Sequence, residues 1–204
     1  FYTFNAGFKK KHDDLLIGVF NKPSAVAAVY SKTSTPSAPI IWDKKNNKGY
    51  CEFLIVNSGN ANAFTGMRGI KKIDTYVNKA IKEFKCLKQN VLVSSTGVIG
   101  EQLDEKKIYK SLALIKKSKD KDLLSAAKSI MTTDTFSKTS MRVLDIGTEK
   151  INIFGFAKGS GMIAPKMGTM LAYIFIEANI SRSILKRLLI SNIDDSFNSI
   201  SVDS

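Results

Sequence analysis

Two short apolar runs flank a long amphipathic segment between residues 52 and 93. Glu52–Val56 and Val91–Val93 are typical of buried strands, and Ile70–Phe84 has apolar residues at helical spacing. A polar block that contains glycine follows each strand directly, Asn57-Ser-Gly-Asn60 after the first and Ser94-Ser-Thr-Gly97 after the second. Loops at strand ends commonly carry ligand-binding groups, so these two blocks are the first candidates for a site.

The remaining elements have the same mixed character. Further strands are predicted at Leu15–Phe20, Ala25–Tyr30 (after a turn at Asn21-Lys-Pro23), Met141–Ile146, Lys150–Phe156 and Met170–Ile176. Further helices are predicted at Asp104–Lys117 and Asp122–Met131, and after Ser181 with Ile184, Leu185, Leu188 and Leu189 on its apolar face. We therefore predict an α/β or mixed α+β fold.

The composition is that of an ordinary soluble globular protein, with 44% hydrophobic and 24% charged residues. No apolar run reaches the roughly 18–20 residues that span a bilayer. The first residues lack the basic-then-apolar pattern of a signal peptide. These features predict a cytoplasmic protein with no membrane partner. Because Phe1 is not a methionine, we expect residues upstream of it.

Residue usage argues against two classes of function. Cys51 and Cys86 are the only cysteines and His12 is the only histidine, which argues against a metal site and favours two buried free thiols. The net charge of +13 invites a nucleic-acid partner. The lysines, however, are spread over the chain and are not interleaved with aromatic residues, so we predict no nucleic-acid binding.

The segment Lys158–Leu171 joins a glycine-rich stretch to an apolar strand through the bond Gly168–Thr169. A threonine released at a chain terminus carries its own general base, the α-amine. That amine titrates at about 7.7–8.0 in model peptides, close to working pH. Taken alone, the segment also fits a glycine-rich turn that feeds a buried strand. The glycines fit neither a P-loop nor a dinucleotide-binding pattern.

Three other blocks, and Lys158 within the segment above, carry polar groups that can have either a functional or a structural role. Thr96-Gly97 can direct a hydroxyl and a backbone N–H at one oxygen, as an oxyanion hole requires, or can be an ordinary turn. The amides of the Asn57 block can bind a ligand or hold the connection from strand to helix. The hydroxyls of Thr132–Thr135 can orient a substrate or satisfy the last carbonyls of the preceding helix. Lys158 can pair with a substrate carboxylate.

Four of these blocks together resemble the glutamate N-acetyltransferase (ornithine acetyltransferase) family of arginine biosynthesis. The matching blocks are Asn57–Ala63, Ser94–Gly100, Met131–Phe136 and Lys158–Leu171. A fifth block, Asp195–Asp203, resembles the segment that follows the family's cleavage site, and the resemblance runs from about Ala6 to Asp203. Family members usually have asparagine where Lys166 stands and alanine where Gly168 stands.

The resemblance implies layered sheets and helices of the N-terminal-nucleophile-like type, and a self-cleaving enzyme. Residues 1–168 would be the α-chain portion and residues 169–204 the start of the β chain, within an α2β2 heterotetramer. Thr169 would be the nucleophile and Thr96 with Gly97 the oxyanion hole. Among the substrate-binding residues would be Lys158, Thr169 and a threonine of the Met131 block, for which we prefer Thr133 over Thr135.

The implied reaction moves an acetyl group from N-acetylornithine to glutamate through an acyl-threonine intermediate, with no cofactor. Some members of the family also take acetyl-CoA as acetyl donor. Two other interpretations stay open. One is an N-terminal-nucleophile amidase or aminopeptidase, and the other is an inactive remnant that lacks the second half of the site.

Overall fold

The computed structural model describes residues 1–161 and 170–200 and contains two β-sheets with helices packed against them. Its strands are β1 (Tyr2–Phe4), β2 (Leu15–Ala25), β3 (Tyr50–Asn60), β4 (Val91–Val98), β5 (Lys138–Ile146), β6 (Glu149–Lys158) and β7 (Leu171–Ile176). Its helices are α1 (Ala38–Asn46), α2 (Gly66–Phe84), α3 (Glu105–Leu112), α4 (Leu123–Ile130) and α5 (Arg182–Ile193).

The first sheet has the strand order β1-β2-β3-β4. β2 pairs antiparallel with β1 and β3, and Leu16 lies opposite Val56. β4 pairs parallel with β3, so that Ile55 lies opposite Val93. A parallel pair needs a long crossover, and α2 supplies it. The parallel pairing brings the C-terminal ends of β3 and β4 to the same edge of the sheet.

The two faces of the first sheet bury different partners, because side chains alternate along each strand. One face packs against α1, α2 and α3, where Phe53, Ile55 and Val93 meet Trp42 and Tyr76. Each of these side chains is almost completely buried. Burying a side chain of this size stabilises the fold by about 1.5–3 kcal/mol relative to leaving it exposed.

The second sheet, of order β5-β6-β7, covers the other face. Phe156 and Tyr173 join Leu16, Leu54 and Val56 in one core together with α4. The rings of Phe156 and Tyr173 lie 5.3 Å apart between centroids. All strands of this sheet are antiparallel, and the β6–β7 register runs from Ile153 opposite Ile176 to Lys158 opposite Leu171. The predicted mixed α+β fold is thereby confirmed as a layered arrangement.

Several of the local predictions hold, and others need correction. The helix predicted over Ile70–Phe84 is confirmed as the larger part of α2. The strands predicted at Met141–Ile146 and Lys150–Phe156 are confirmed within β5 and β6, which pair antiparallel as a hairpin. The prediction of two strands separated by a turn at residues 21–23 is wrong, because β2 is one strand as far as Ala25. Its pairing with β3 shifts register between Val19 and Ser24, and such a bulge accommodates Pro23, which has no N–H to donate.

α5 begins where predicted, but its environment differs from the prediction. The Ser181 hydroxyl accepts a hydrogen bond from the Ile184 N–H at 3.4 Å and caps the helix. The predicted apolar face is not buried within the described part of the chain: Ile184 is 42% exposed and Leu188 is 46% exposed. Both cysteines are buried and unpaired, as predicted. No helix among the described residues has the length and apolarity to cross a membrane.

Candidate active site

The candidate site begins where β3 and β4 end side by side. Ser58 lies opposite Thr96 in the parallel pairing, and Gly59 lies opposite Gly97. Thr96 is on the same face of β4 as Leu92, which packs in the core between the two sheets. The Thr96 side chain is fully buried, and its hydroxyl forms no hydrogen bond within the described part of the chain. Buried polar groups are nearly always paired, so we expect an acceptor for this hydroxyl from a bound ligand or from outside the described residues.

Backbone conformation and packing require glycine at position 97, whatever its chemical role. Its φ of 129° is rarely adopted by residues with a side chain. A Cβ built on it would lie 2.3 Å from the carbonyl carbon of Gly59. The close approach of these two backbones keeps the ends of β3 and β4 together.

The polar side chains of the Asn57 block bond mainly to one another and to nearby backbone. Asn57 Nδ2 donates to Asn60 O at 2.8 Å, and Ser95 Oγ donates to Asn57 Oδ1 at 2.6 Å. Asn62 N donates to Asn60 Oδ1, and Thr65 Oγ1 donates to Asn62 Oδ1, both at 2.8 Å. These bonds favour the structural interpretation, in which the block holds the connection from β3 to α2.

The C-terminal end of α4 is tied to this strand edge. Ser58 Oγ donates to Ser129 O at 2.6 Å, and Lys9 Nζ donates to Met131 O at 3.1 Å. Helix ends leave carbonyl oxygens without intrahelical partners, and these two donors satisfy carbonyls at the end of α4. The chain therefore leaves α4 beside Ser58 and enters the Thr132–Thr135 block.

Lys158, at the end of β6, reaches this same block. Its side chain is buried, with 4% exposure, and Nζ donates to Thr132 Oγ1 at 3.0 Å. The structure thus brings Thr132 to the predicted lysine. Thr133 and Thr135, the threonines preferred from the sequence, are exposed and form no side-chain hydrogen bond with another described residue.

Asp134 completes the cluster and was missed by the sequence analysis. Its side chain is fully buried and accepts from Lys138 Nζ at 2.7 Å, Gly159 N at 2.8 Å and Thr132 N at 3.2 Å. The available signal was an acidic residue within a block of threonines, followed by a lysine four positions later. That pattern does not reveal the contact with Gly159, which is distant in sequence.

The charges of this cluster shift the pKa values of two groups. Burial by itself raises the pKa of Asp134, but the hydrogen bonds from Lys138, Gly159 and Thr132 hold that pKa below its ordinary value. The pKa of Lys158 is lowered by burial, while the charge of Asp134 opposes that effect and the charge of Lys138 adds to it. The ammonium of Lys158 is therefore a poorly solvated cation suited to pairing with an anion.

The predicted nucleophile Thr169 and its neighbour Gly168 lie outside the described residues, as does Lys166. In the sequence Thr169 stands two positions before Leu171, the residue that pairs with Lys158. Among residues 1–161 and 170–200, no group of three acidic, cysteine or histidine side chains is placed to hold a metal ion.

A cavity of about 810 Å³ lies elsewhere on the molecule. Its lining includes residues of β2, α1, the start of β3 and the start of α5, among them Asp43, Tyr50 and Arg182. Tyr50 opposes Ala25 at the other end of the β2–β3 pairing from Asn57, so the cavity is distant from the ends of β3 and β4. None of the predicted site residues that the structure describes lines it; they lie at the ends of β4 and β6 and in the segment after α4.

Comparison with known proteins shows the family of this chain. Residues 1–204 match the model of the ArgJ family. Proteins named arginine biosynthesis bifunctional protein ArgJ from Bartonella henselae and Bradyrhizobium diazoefficiens are 44% and 43% identical to this chain, over 99% and 98% of it. The matches cover 50% and 49% of those relatives, so the chain spans about half of their length.

Two solved structures share the fold. The crystal structure of arginine biosynthesis bifunctional protein ArgJ from Bacillus halodurans matches with a TM-score of 0.71 and 32% identity, over 83% of this chain and 88% of that one. Ornithine acetyltransferase from Mycobacterium tuberculosis, complexed with ornithine, matches with a TM-score of 0.66 and 26% identity, over 83% and 90% of the two chains.

Proposed function

Because this chain belongs to the ArgJ family, we propose that the full-length protein containing it transfers an acetyl group from N-acetylornithine to glutamate. The observation that carries the proposal is the buried Thr96 hydroxyl, which has no partner among the described residues. A buried donor left without an acceptor is costly in a resting protein, and it is what a site needs if negative charge develops there during reaction.

The reaction follows from the chemistry of a threonine at a chain terminus. The α-amine of Thr169 accepts the proton of its own hydroxyl, and the oxygen attacks the acetyl carbonyl of N-acetylornithine. A bond forms between Oγ and the carbonyl carbon. The bond to the ornithine nitrogen then breaks, and the stored proton leaves with that amine. The amine of glutamate next attacks the acyl-threonine, and Thr169 recovers its proton as N-acetylglutamate departs.

Within this scheme Thr96 and Gly97 stabilise the tetrahedral intermediate. The Thr96 hydroxyl and the Gly97 N–H would donate to the oxygen that carries the negative charge. Loss of one such donor costs about 2.7–4 kcal/mol in a comparable oxyanion hole. The fixed approach of Gly97 to Gly59 leaves little freedom at this strand end, which suits a preorganised site.

Lys158 is proposed to pair with a carboxylate of the substrate. It is buried, and its neighbours in the structure are Thr132 and the Asp134 cluster. Thr132 is the threonine that contacts this lysine, so we add it to the substrate-binding candidates. Thr133 and Thr135 stay predictions, because their exposed hydroxyls are free to meet a substrate from the solvent side.

The active species is proposed to arise by cleavage between Gly168 and Thr169, which separates an α chain from a β chain. An α2β2 heterotetramer in the cytoplasm is the assembly that we expect. No cofactor takes part in the proposed scheme. Acetyl-CoA is a second acetyl donor to test, since it carries the same acetyl carbonyl on a better leaving group.

The experiment is an acetyl-transfer assay on the longest natural polypeptide that contains this sequence. N-acetylornithine is supplied with and without glutamate, and both N-acetylglutamate and free acetate are measured. We expect N-acetylglutamate to form only when glutamate is present, and mass spectrometry to show a chain that begins at Thr169. Thr169→Ala should block cleavage and transfer, whereas Thr169→Ser keeps a hydroxyl and should retain part of each.

Two outcomes would overturn the proposal. Rapid release of acetate that is independent of glutamate would identify an amidase, which shares the nucleophile but passes the acyl group to water. A fully active protein that is uniformly uncleaved would exclude the α-amine of Thr169 as the base.

A further inference from the structure

We propose that Asp134 is a positioning residue, whose buried carboxylate holds Lys158, Thr132 and Gly159 in the arrangement that receives the substrate carboxylate. This inference rests on the proposed function, because it assigns Asp134 to the substrate-binding part of the same site. Asp134 would act through these neighbours and would not itself contact the reacting atoms.

Asp134 contacts the two segments that meet at Lys158, namely the Thr132–Thr135 block and the end of β6. On one side its carboxylate accepts from the N–H of Thr132, whose hydroxyl accepts from Lys158. On the other side it accepts from the N–H of Gly159, the residue directly after Lys158. One fully buried carboxylate therefore fixes the residue that Lys158 contacts and the backbone that follows Lys158.

The salt bridge between Lys138 and Asp134 also affects Lys158, so its role is not only to stabilise the fold. Lys138 donates to Asp134 Oδ1, the same oxygen that accepts from Gly159. Among the described residues, the charges that shift the pKa of Lys158 are the Asp134 carboxylate, which raises it, and the Lys138 ammonium, which lowers it. The two groups set how readily Lys158 keeps its proton, and only the charged form of Lys158 can pair with a carboxylate.

This arrangement predicts pH effects of opposite sign for two variants of the full-length protein. Asp134→Asn keeps the shape and an acceptor oxygen but removes the negative charge, so the pKa of Lys158 should fall. Lys138→Met removes the positive charge, so the pKa of Lys158 should rise. A nearby opposite charge favours the charged form of a group, and a nearby like charge disfavours it.

The first readout is the KM of the amino-acid substrate as a function of pH. The pH above which KM rises should be lower in Asp134→Asn and higher in Lys138→Met than in the natural protein, with kcat changing less than KM. Asp145→Asn is the matched control, because Asp145 pairs with Lys150 in an exposed hairpin, at 3.8 Å and with both side chains at least 70% exposed. That control should leave the profile unchanged.

The second readout does not depend on acetyl transfer. The titration of the Lys158 ammonium is followed by nitrogen-15 NMR of lysine side chains and assigned with Lys158→Gln. Shifts in the stated directions support the proposal even if the natural protein fails to transfer acetyl groups, and that failure would count against the proposed function alone.

An active protein in which neither variant changes the Lys158 titration would overturn the role of Asp134. If Asp134→Asn fails to fold, Asp134→Glu decides the question, because it keeps the negative charge but displaces the carboxylate from Thr132 N and Gly159 N. A raised KM for the amino-acid substrate supports the proposal, and an unchanged KM contradicts it.

Discussion

Gly97 and Gly59 lie so close across the β3–β4 pairing that a methyl group on Gly97 would overlap the Gly59 backbone, at 2.3 Å. A contact of this kind cannot be relieved by rotating a side chain, because the obstacle is main chain. The two strand ends must separate if residue 97 is anything but glycine. The same separation would displace Thr96, which precedes Gly97 and faces the core between the sheets.

We therefore expect Gly97→Ala to destabilise the protein by more than about 3 kcal/mol, in the range that marks a severe packing defect. The matched control is Gly100→Ala. Gly100 also has a positive φ, at 87°, but a Cβ there meets nothing within 4 Å. That variant carries backbone strain alone and should lose roughly 1 kcal/mol. Urea unfolding, followed by the fluorescence of Trp42, measures both, and equal losses would show that the close approach is not important.

Replacing Thr96 by valine should separate chemistry from stability. Valine has nearly the same shape as threonine, and the Thr96 hydroxyl forms no hydrogen bond within the described residues. The variant should be at least as stable as the natural protein. Its kcat should nevertheless fall by roughly 10²–10³-fold, the cost of one oxyanion donor. A change confined to KM would instead place Thr96 in substrate binding.

Lys158→Met should weaken substrate binding without weakening the fold. Hydrogen bonds to charged groups are worth about 1.5–3 kcal/mol, which corresponds to roughly a 10- to 100-fold rise in KM. Because burial lowers the pKa of Lys158, methionine removes a desolvation cost and should not lower the urea midpoint. Lys150→Met, in the exposed hairpin, is the control for loss of a lysine. An unchanged KM for both substrates would refute the role of Lys158.

Asp43 provides a prediction for the dependence of stability on pH. It is 4% exposed, and its Oδ1 accepts from Val93 N at 3.1 Å. Burial raises the pKa of this carboxyl well above its ordinary value, and the hydrogen bond from Val93 opposes that only in part. The native state therefore holds a proton that the unfolded chain releases above about pH 4, so stability falls as pH rises through the native pKa.

Asp43→Asn keeps an acceptor for Val93 and cannot ionise. We expect the variant to be more stable than the natural protein at pH 7.5 and no more stable at pH 4, by urea unfolding at each pH. The exposed Asp145→Asn should show no such crossover. A parallel pH dependence in the Asp43 variant and the natural protein would show that Asp43 does not control this slope.

The sequence predicts the helices and strands in which apolar residues recur regularly or form a continuous run. The α2 helix shows its apolar face over fifteen residues from Ile70 to Phe84. Short apolar runs predicted β3 and β4, but the polar blocks predicted to follow them as loops are part of the strands, which extend to Asn60 and Val98. The α1 helix was missed, because its nine residues carry no clear apolar stripe and follow a Ser/Thr/Pro loop. The proline near its first turn was the available signal.

The site was predictable in its parts but not in its connections. Motifs and a family resemblance propose Thr96, Gly97 and Lys158 as site residues. The bond from Gly159 N to Asp134 joins residues 25 positions apart, and Ser58 Oγ to Ser129 O joins residues 71 apart. Such contacts depend on how α4 and β6 pack against the first sheet. No periodicity within a single segment encodes that packing.

The β6–β7 register has a consequence for the proposed break at Thr169. Six residue pairs, from Ile153 with Ile176 to Lys158 with Leu171, join the two strands on either side of that point in the sequence. None of these pairs contains the bond between Gly168 and Thr169. Cleavage of that bond would create two new chain ends and leave all six β6–β7 residue pairs intact. The two fragments would then stay associated through the pairing of β6 with β7. They would separate in denaturant but not on dilution.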